Sequence, residues 1–592
     1  MEQFDFVMIK PSRYDDDGYP VVWWRSLVPS NSLAAVNGIA RDCAERRVLG
    51  PDVQLNLVTL DETNTHVVPE RIIRNAARRG GRTLIGLIGV QSNQFPRALD
   101  LARAFRAHGL PVVIGGFHVS GCLSMLKETP RELQEALDMG CSLFAGECEE
   151  GRLDEILRDA WNGELRPIYD YLKDLPGLEN TPLPVLPIET LKKNLQSWSS
   201  FDLGRGCPFQ CSFCTIINVQ GRKSRFRTPD DLEAIVRENH AQGVRAFFIT
   251  DDNLARNRRW EEFFDRLIKL REEEGIKVNL TIQVDTLCHK IPNFIDKAVR
   301  AGAMRVFIGL ENINPDNLIA AKKNQNKITD YRYMLQEWRG RGAFLFAGYI
   351  LGFPGDTRES ILRDIEIIKR ELPIDVLQIA FLTPLPGSED HKKLLEAGVW
   401  MDPDLNKYNL HHRVTHHPTM SDEDWEAAYR DGWQLWFDDE HLERVARRHA
   451  ARPGGRPAKA IKYMNDFRML WAVEGLHAQE GGVLRRKRRA SRRPTFAREL
   501  PVLFELKYAF ETIGKVWRAV RMLRRAARIV RKVERDPNRY AYTDIAITPV
   551  TPEEVETLDL FQETAGGEAF LARKFMQDAI IQAAQAQHPI AG

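Results

Sequence analysis

Nowhere does the 592-residue chain offer the ~18 uninterrupted apolar residues that a membrane-spanning helix requires. The opening Met1-Glu-Gln-Phe-Asp-Phe-Val-Met-Ile-Lys10 places acid where a secretory signal needs base, then enters a strand-like run. An intracellular, cytoplasmic protein is therefore expected. Cysteine is scarce. Eight thiols are too few for a disulfide scaffold in a chain of this length. Cys43, Cys122, Cys141, Cys148 and Cys288 are scattered, whereas Cys207, Cys211 and Cys214 crowd into one loop. A reducing compartment with a metal or cluster site fits that distribution. Global disorder is excluded, because 43% hydrophobic and 28% charged residues suffice to bury a core. At ~100–200 residues per domain, roughly three or four folded units are expected.

Residues 1–160 alternate strand and helix signals. Apolar runs at Phe4–Ile9, Val53–Leu60, Thr83–Val90, Leu110–Gly115 and Cys141–Ala145 flank helical patterns such as Phe95–His108. That rhythm predicts an α/β domain built on a doubly wound, Rossmann-like parallel sheet. Ligands of such sheets sit beyond the carboxyl ends of the strands. The candidate loops are thus Gln91–Phe95, carrying Ser92 and Asn93; Gly115–Gly121, carrying Gly116 and His118; and Gly146–Glu150, carrying Glu147. Residues 161–198, dense in Pro and Leu, read as an ordered linker.

From residue 199 to 388 the alternation resumes. Runs at Phe201–Gly204, Ala246–Thr250, Val278–Val284, Val306–Leu310, Phe344–Gly352 and Val376–Thr383 predict a partial (β/α)6 barrel with chemistry at its strand ends. Residues 389–480 read as helical, with Trp425, Trp433, Trp436 and Phe437 placed to cap the barrel mouth. The paired histidines within Asn409–His417 read as solvent or substrate contacts, and no metal is assigned there.

Just after the first barrel strand stands Gly204-Arg-Gly-Cys207-Pro-Phe-Gln-Cys211-Ser-Phe-Cys214. Three thiolates at C-x3-C-x2-C spacing can hold three irons of a [4Fe–4S] cluster, leaving the fourth iron open to a small ligand. Zinc is the plainer alternative, although a structural zinc site normally has a fourth Cys or His close by.

This segment, on the first strand of a six-strand βα barrel, resembles the radical S-adenosylmethionine (SAM) superfamily. The resemblance implies that the open iron chelates SAM, and that an electron from the cluster cleaves it to methionine and a 5′-deoxyadenosyl radical. It places Phe213 near the adenine, and Asp251 and Asp252 near the methionyl end. Glu311 matches the family's glycine-plus-acid segment, and Gly352 its fifth-strand glycine motif. Ordinary strand-end packing remains the alternative for each of these residues. The resemblance also implies an external electron donor, such as a flavodoxin or ferredoxin.

An α/β domain ahead of such a barrel, with Leu110-Pro-Val-Val-Ile-Gly-Gly-Phe-His118, resembles the cobalamin-binding branch that contains hopanoid methylases and the anaerobic magnesium-protoporphyrin cyclase. Ser92, Asn93, Gly115, Gly116, His118, Gly146 and Glu147 are the positions where cobalamin contacts are expected. No Asp-x-His-x-x-Gly run is present, so cobalamin is expected without a protein histidine on cobalt. The implied reaction is methylation of an unactivated carbon in a hydrophobic, lipid- or isoprenoid-like metabolite. The alternatives are oxidative cyclisation, rearrangement or tRNA modification by a chain whose front domain has lost its ligand. A non-catalytic iron–sulfur or corrinoid sensor has no need of an open iron beside a barrel mouth.

Residues 481–592 form a basic extension. Arg485–Arg535 holds 18 Lys/Arg against 4 Glu, an excess of 14, so the rest of the chain carries −12. Ile513, Val516, Val520, Leu523, Ala527 and Val530 recur at helical spacing, opposite Arg518, Arg521, Arg525, Arg528 and Lys532. Such a helix suits the anionic inner face of a membrane. A helix docked on the barrel, and a phosphate-binding stripe for nucleic acid, are the weaker alternatives.

Overall fold

A strand covered on both faces needs apolar side chains on both, so parallel-sheet strands read as continuous apolar runs rather than alternating ones. In the computed structural model, which describes residues 2–195, 198–477, 480–549, 558–562 and isolated positions beyond, those runs become strands. They are β1 (Glu2–Lys10), β2 (Trp23–Ser26), β3 (Val53–Asp61), β4 (Arg82–Leu87), β5 (Val112–Gly115), β6 (Ser142–Ala145) and β7 (Ile168–Asp170). All except β2 join one parallel sheet in the order β3-β1-β4-β5-β6-β7. The winding reverses between β1 and β4, which places the ligand crevice beyond their carboxyl ends. One departure from expectation concerns the linker. β7 lies within residues 161–198 yet forms the edge of this sheet, because a three-residue strand is too short to show periodicity.

The second sheet contains β8 (Trp198–Phe201), β11 (Ala246–Ile249), β12 (Asn279–Val284), β13 (Ala303–Glu311), β14 (Phe344–Leu351) and β15 (Val376–Phe381). Between β8 and β11 come β9 (Gly204–Arg205) and β10 (Arg225–Phe226), a small antiparallel pair. The six long strands run parallel in the order β15-β14-β13-β12-β11-β8, an open barrel. The β8 edge leans on the front domain, where Ser200 Oγ donates to Pro29 O at 2.9 Å and Asn31 Nδ2 to Asp202 Oδ1 at 3.2 Å. At the opposite edge, helix Asp422–Trp436 packs on helix Arg358–Glu371 and on β15. Trp433, Trp436 and Phe437 are therefore buried in the barrel's flank and do not cap its mouth. Of the four aromatics, Trp425 is the one that reaches the strand ends, against Phe381.

The chain then returns to its beginning. β16 (Gly482–Arg485) pairs antiparallel with β2 and covers Trp23, whose Nε1 donates to Glu480 O at 2.8 Å. The basic run that follows is not free. Arg485 pairs with Asp15 at 2.9 Å, Lys487 with Asp17 at 3.0 Å and Glu511 at 2.8 Å, and Arg493 with Asp404 at 2.8 Å. Helix Pro501–Arg535 follows, and its apolar stripe divides. Ala526, Ile529, Val530 and Val533 are buried, whereas Ile513, Val516, Val520, Leu523 and Ala527 face outward. No helix among the described residues is long and apolar enough to cross a membrane.

Candidate functional site

The cysteine loop leaves β9 through Gly206, at φ +90°, where a Cβ would lie 2.7 Å from Lys223 O. Backbone bonds pin the loop on both sides. Cys207 N donates to Gly221 O at 3.2 Å, Ser212 N to Ala321 O at 3.0 Å and Cys214 N to Cys211 O at 3.1 Å. The three thiols are partly exposed and unbridged. Burial, the leading cause, pushes Cys207 up to about 11 and Cys214 up to about 12. Thiols around one zinc stand about 3.8 Å apart, given a Zn–S bond of about 2.3 Å. Among the described residues, the group whose ligand atoms gather within 4.8 Å is a different one, His118, Cys122 and Glu132. Three thiolates from one loop suit a cube of irons with one corner open, whereas a structural zinc normally takes a fourth Cys or His close by.

Facing the loop is a cation that sequence reasoning missed. Lys323 is buried and ion-paired to Glu311, with its Nζ 5.9 Å from the Phe213 ring centre. Burial opposes its charge, but Glu311 and the Cys211 and Cys214 sulfurs prevail and raise its pKa. Gln325 Nε2 reaches Cys211 Sγ at 3.7 Å. Glu311 reaches this position through left-handed backbone, φ +63°, where the β13–β14 register shifts. Gly309 and Gly348 leave room for the pair, since a Cβ at either would lie within 3.3 Å of a Glu311 oxygen. The run Lys322–Lys327 carries no motif, and its link to Glu311 exists only in the folded chain.

The other expected SAM residues divide by role. Asp251 is a brace beneath the loop rather than a free ligand, because Oδ1 accepts from Leu203 N at 2.7 Å and Oδ2 from Asn257 at 3.1 Å. Asp252 keeps Oδ2 buried without a partner, available for a ligand. Gly352 sits at φ +98° beneath Trp425, whose ring would be 2.3 Å from a Cβ, so packing accounts for that glycine. Burial raises both Asp251 and Asp252 to about 7. In cluster-free protein the native state then keeps protons that the unfolded chain loses above 3.8, the ordinary value for Asp. Stability is expected to fall as pH rises from 3.8 to about 7 and to level off above. Urea unfolding at about pH 5 and about pH 8 should show a smaller fall for Asp252→Asn than for the parent chain.

Between the front sheet and the barrel lies a cavity of about 150 Å³. Phe6, Leu84, Val113 and Phe144 form its floor, and Gly115, Gly116, Gly146 and Glu147 lie on its rim. Arg205, Val219 and Gln220 close it from the barrel side. Glu147 lines it with both oxygens engaged, by Arg205 at 2.6 Å and Arg225 at 2.6 Å. Arg205 also holds Glu149 at 2.8 Å and Asp202 at 3.0 Å, joining the two domains through one buried guanidinium. Three expected residues point elsewhere. Ser92 Oγ bonds His118 Nδ1 at 3.1 Å, Asn93 donates to Glu480 at 3.0 Å, and His118 is buried outside the lining. The helix starting at Phe117 explains this: at ~100° per residue, Phe117 and Ser120 share the cavity side while His118 turns away.

The radical SAM superfamily model matches residues 202–368, the span from the cysteine loop through β14. The chain carries a radical SAM domain. Membership implies a [4Fe–4S] cluster and SAM, and the three loop thiols, the buried Lys323 and the unpartnered Asp252 oxygen are a fitting donor set for them. The enzyme resembles the bacteriochlorophyllide d C-8(2)-methyltransferase of Chlorobaculum tepidum, at 28% identity over 55% of this chain and 72% of that one. It also resembles the hopanoid C-2 methylase of Rhodopseudomonas palustris, at 23% over 54% and 58%. Among solved structures, the methyltransferase TsrM from Kitasatospora setae, with cobalamin and a [4Fe–4S] cluster, superposes with TM-score 0.54 at 15% identity. That match covers 74% of this chain and 91% of TsrM. The cobalamin-dependent radical enzyme OxsB superposes with TM-score 0.52 at 12% identity, over 95% and 83%. Both show a shared fold.

Proposed function

We propose that this radical SAM enzyme is a cobalamin-dependent C-methyltransferase for a hydrophobic small molecule. The observation carrying this reading is the cavity under Gly115, Gly116 and Gly146, which opens toward the strand that bears the cysteine loop. Its apolar floor and helical wall of Ala35, Val36, Ile39, Leu153 and Ile156 suit a flat aromatic base on a cofactor tail. No described lining residue is a histidine, so a corrinoid held here takes no imidazole from this wall.

Cys207, Cys211 and Cys214 would hold the cluster, which would supply the electron that cleaves SAM to methionine and a 5′-deoxyadenosyl radical. Lys323 and Glu311 fix charge beside Phe213, Asp252 offers its free oxygen to the amino group of SAM, and Asp251 keeps the loop in place. A corrinoid bound in the cavity would supply the methyl group. Arg205, through Glu147 and Glu149, holds the two cofactor domains face to face and keeps bulk water from the space between. An external flavodoxin- or ferredoxin-like reductant is required, because the chain offers one cluster motif. The methylase relatives named for bacteriochlorophyllide and hopanoid support a lipophilic substrate.

Anaerobically reconstituted protein is expected to bind cobalamin and to form both 5′-deoxyadenosine and S-adenosylhomocysteine, followed by liquid chromatography and mass spectrometry. Failure to bind any corrinoid overturns the methylase reading. Deoxyadenosine without S-adenosylhomocysteine points instead to cyclisation or rearrangement.

Helix Pro501–Arg535 supports a place at an anionic membrane surface. Its inward side is held by polar contacts, Tyr508 Oη to Arg485 O at 2.6 Å and Lys515 to Glu474 at 2.8 Å. Its outward side bears Leu503, Leu506, Phe510 at 73% exposure, Ile513 and Trp517 at 58%. Exposed Arg518, Arg521, Arg524 and Arg528 continue beyond that stripe. An exposed apolar stripe over Leu503–Trp517, followed by a cationic band, matches a lipid interface better than solvent. The protein is expected to co-sediment with phosphatidylglycerol vesicles more than with phosphatidylcholine vesicles. Phe510→Asp with Trp517→Asp should weaken that binding about 100-fold or more, from ~1.5–3 kcal/mol per buried apolar side chain. Equal binding of both vesicle types would refute the electrostatic part.

A further inference from the structure

Outside the cavity and the cysteine loop, the molecule gathers a second set of metal-ligating side chains. His118 and Cys122 stand one turn apart on helix Phe117–Met125, and both are buried. Glu132 approaches from the first turn of helix Arg131–Asp138. His118 Nε2 lies 3.4 Å from Glu132 Oε1 and 4.0 Å from Cys122 Sγ, and the three ligand atoms fall within 4.8 Å of one another. A tetrahedral zinc site with bonds of ~2.0–2.3 Å separates N from O by about 3.4 Å and N from S by about 3.6 Å. The other ring nitrogen of His118 is held by Ser92 Oγ at 3.1 Å, the outer contact that fixes a ligating imidazole and leaves Nε2 for the metal.

A further imidazole stands outside the group gathered within 4.8 Å and points to a fourth donor. His391, on helix Glu389–Glu396, is 8% exposed and its buried Nδ1 has no partner. It lies within electrostatic reach of His118 and Glu132. An ordinary His–Glu pair explains neither the thiol nor this orphaned nitrogen. The donors are one sulfur, two imidazoles and one carboxylate, the borderline-soft mixture that zinc prefers.

We propose that His118, Cys122, Glu132 and His391 bind one structural zinc ion, distinct from the iron–sulfur cluster. The ion would tie the front domain to helix Glu389–Glu396. That helix is bonded to the cysteine loop, with Asp390 N donating to Ser212 O at 3.2 Å and Ser212 Oγ to Asp390 Oδ2 at 3.2 Å. A glycine contact alongside shows how closely these parts pack, since a Cβ on Gly121 would lie 2.9 Å from Gly387 Cα. The zinc thus braces the loop from behind, one residue beyond Cys211, without touching substrate.

The test separates this metal from the cluster and from the proposed function. The full chain carrying Cys207→Ala, Cys211→Ala and Cys214→Ala cannot hold the cluster, yet is expected to retain one zinc per chain by inductively coupled plasma mass spectrometry. Adding Cys122→Ala or His391→Gln should reduce zinc to background. X-ray absorption at the zinc edge should show one sulfur among nitrogen and oxygen neighbours. Should those variants fold poorly, Ser92→Ala, which leaves every ligand in place, should weaken zinc binding about 10–100-fold. Absence of stoichiometric zinc in the cluster-free chain overturns the proposal. So does zinc that persists unchanged without Cys122 and His391, or a zinc edge without sulfur.

Discussion

Cys211→Ala is expected to give a folded protein that holds no stable cluster and forms no 5′-deoxyadenosine above the level of cluster-free chain. The thiol is partly exposed, and the loop is held by backbone bonds at Cys207, Ser212 and Cys214 that the substitution leaves intact. Stability should therefore change little, as for most surface truncations, within about 0.5 kcal/mol. The chemistry should be lost entirely, because two thiolates cannot retain a cube whose fourth corner must stay open. Iron and sulfide analysis, with detection of deoxyadenosine after dithionite reduction, checks both halves. Deoxyadenosine formed at the parent rate would remove the basis for assigning this loop.

Arg205→Leu is expected to be the most destabilising single change. The guanidinium bridges Glu147, Glu149 and Asp202, all buried; its removal leaves Glu147 to Arg225 and Asp202 to Arg227 and Asn31, and strands Glu149. Breaking a buried charge network in this way costs about 3–5 kcal/mol. Thermal unfolding should shift down accordingly. The double variant Arg205→Leu with Glu149→Gln should recover part of the loss, since one stranded charge disappears with it. A melting temperature equal to that of the parent would mean that the domains are joined by other contacts.

Both sheets could be anticipated because covered strands must be apolar throughout, and the cysteine loop because its three ligands are adjacent in the chain. What escaped the sequence depends on distant partners. Lys323 gains meaning from Glu311 and from the thiols above it, Arg205 from acids more than fifty residues earlier. His118 was expected at the crevice because it follows Gly115-Gly116, yet the helix that begins at Phe117 rotates it to the opposite side. The basic run after Gly482 looked like an open phosphate- or lipid-binding patch until folding set it against Asp15 and Asp17, some 470 residues earlier. The exposed stripe from Leu503 to Trp517 follows the apolar periodicity that was visible, but which side faces solvent was decided by Tyr508 and Lys515.

The pairing of β2 with β16 has a consequence for biosynthesis. Trp23, near the start, gains its cover from backbone that leaves the ribosome only after some 480 residues have been made. The front domain can assemble its parallel sheet early, but β2 must wait through translation of the whole barrel for its partner strand, with an indole uncovered. Premature termination before Gly482 would leave that surface bare for chaperones or proteases to recognise, so a late-made strand certifies an early one.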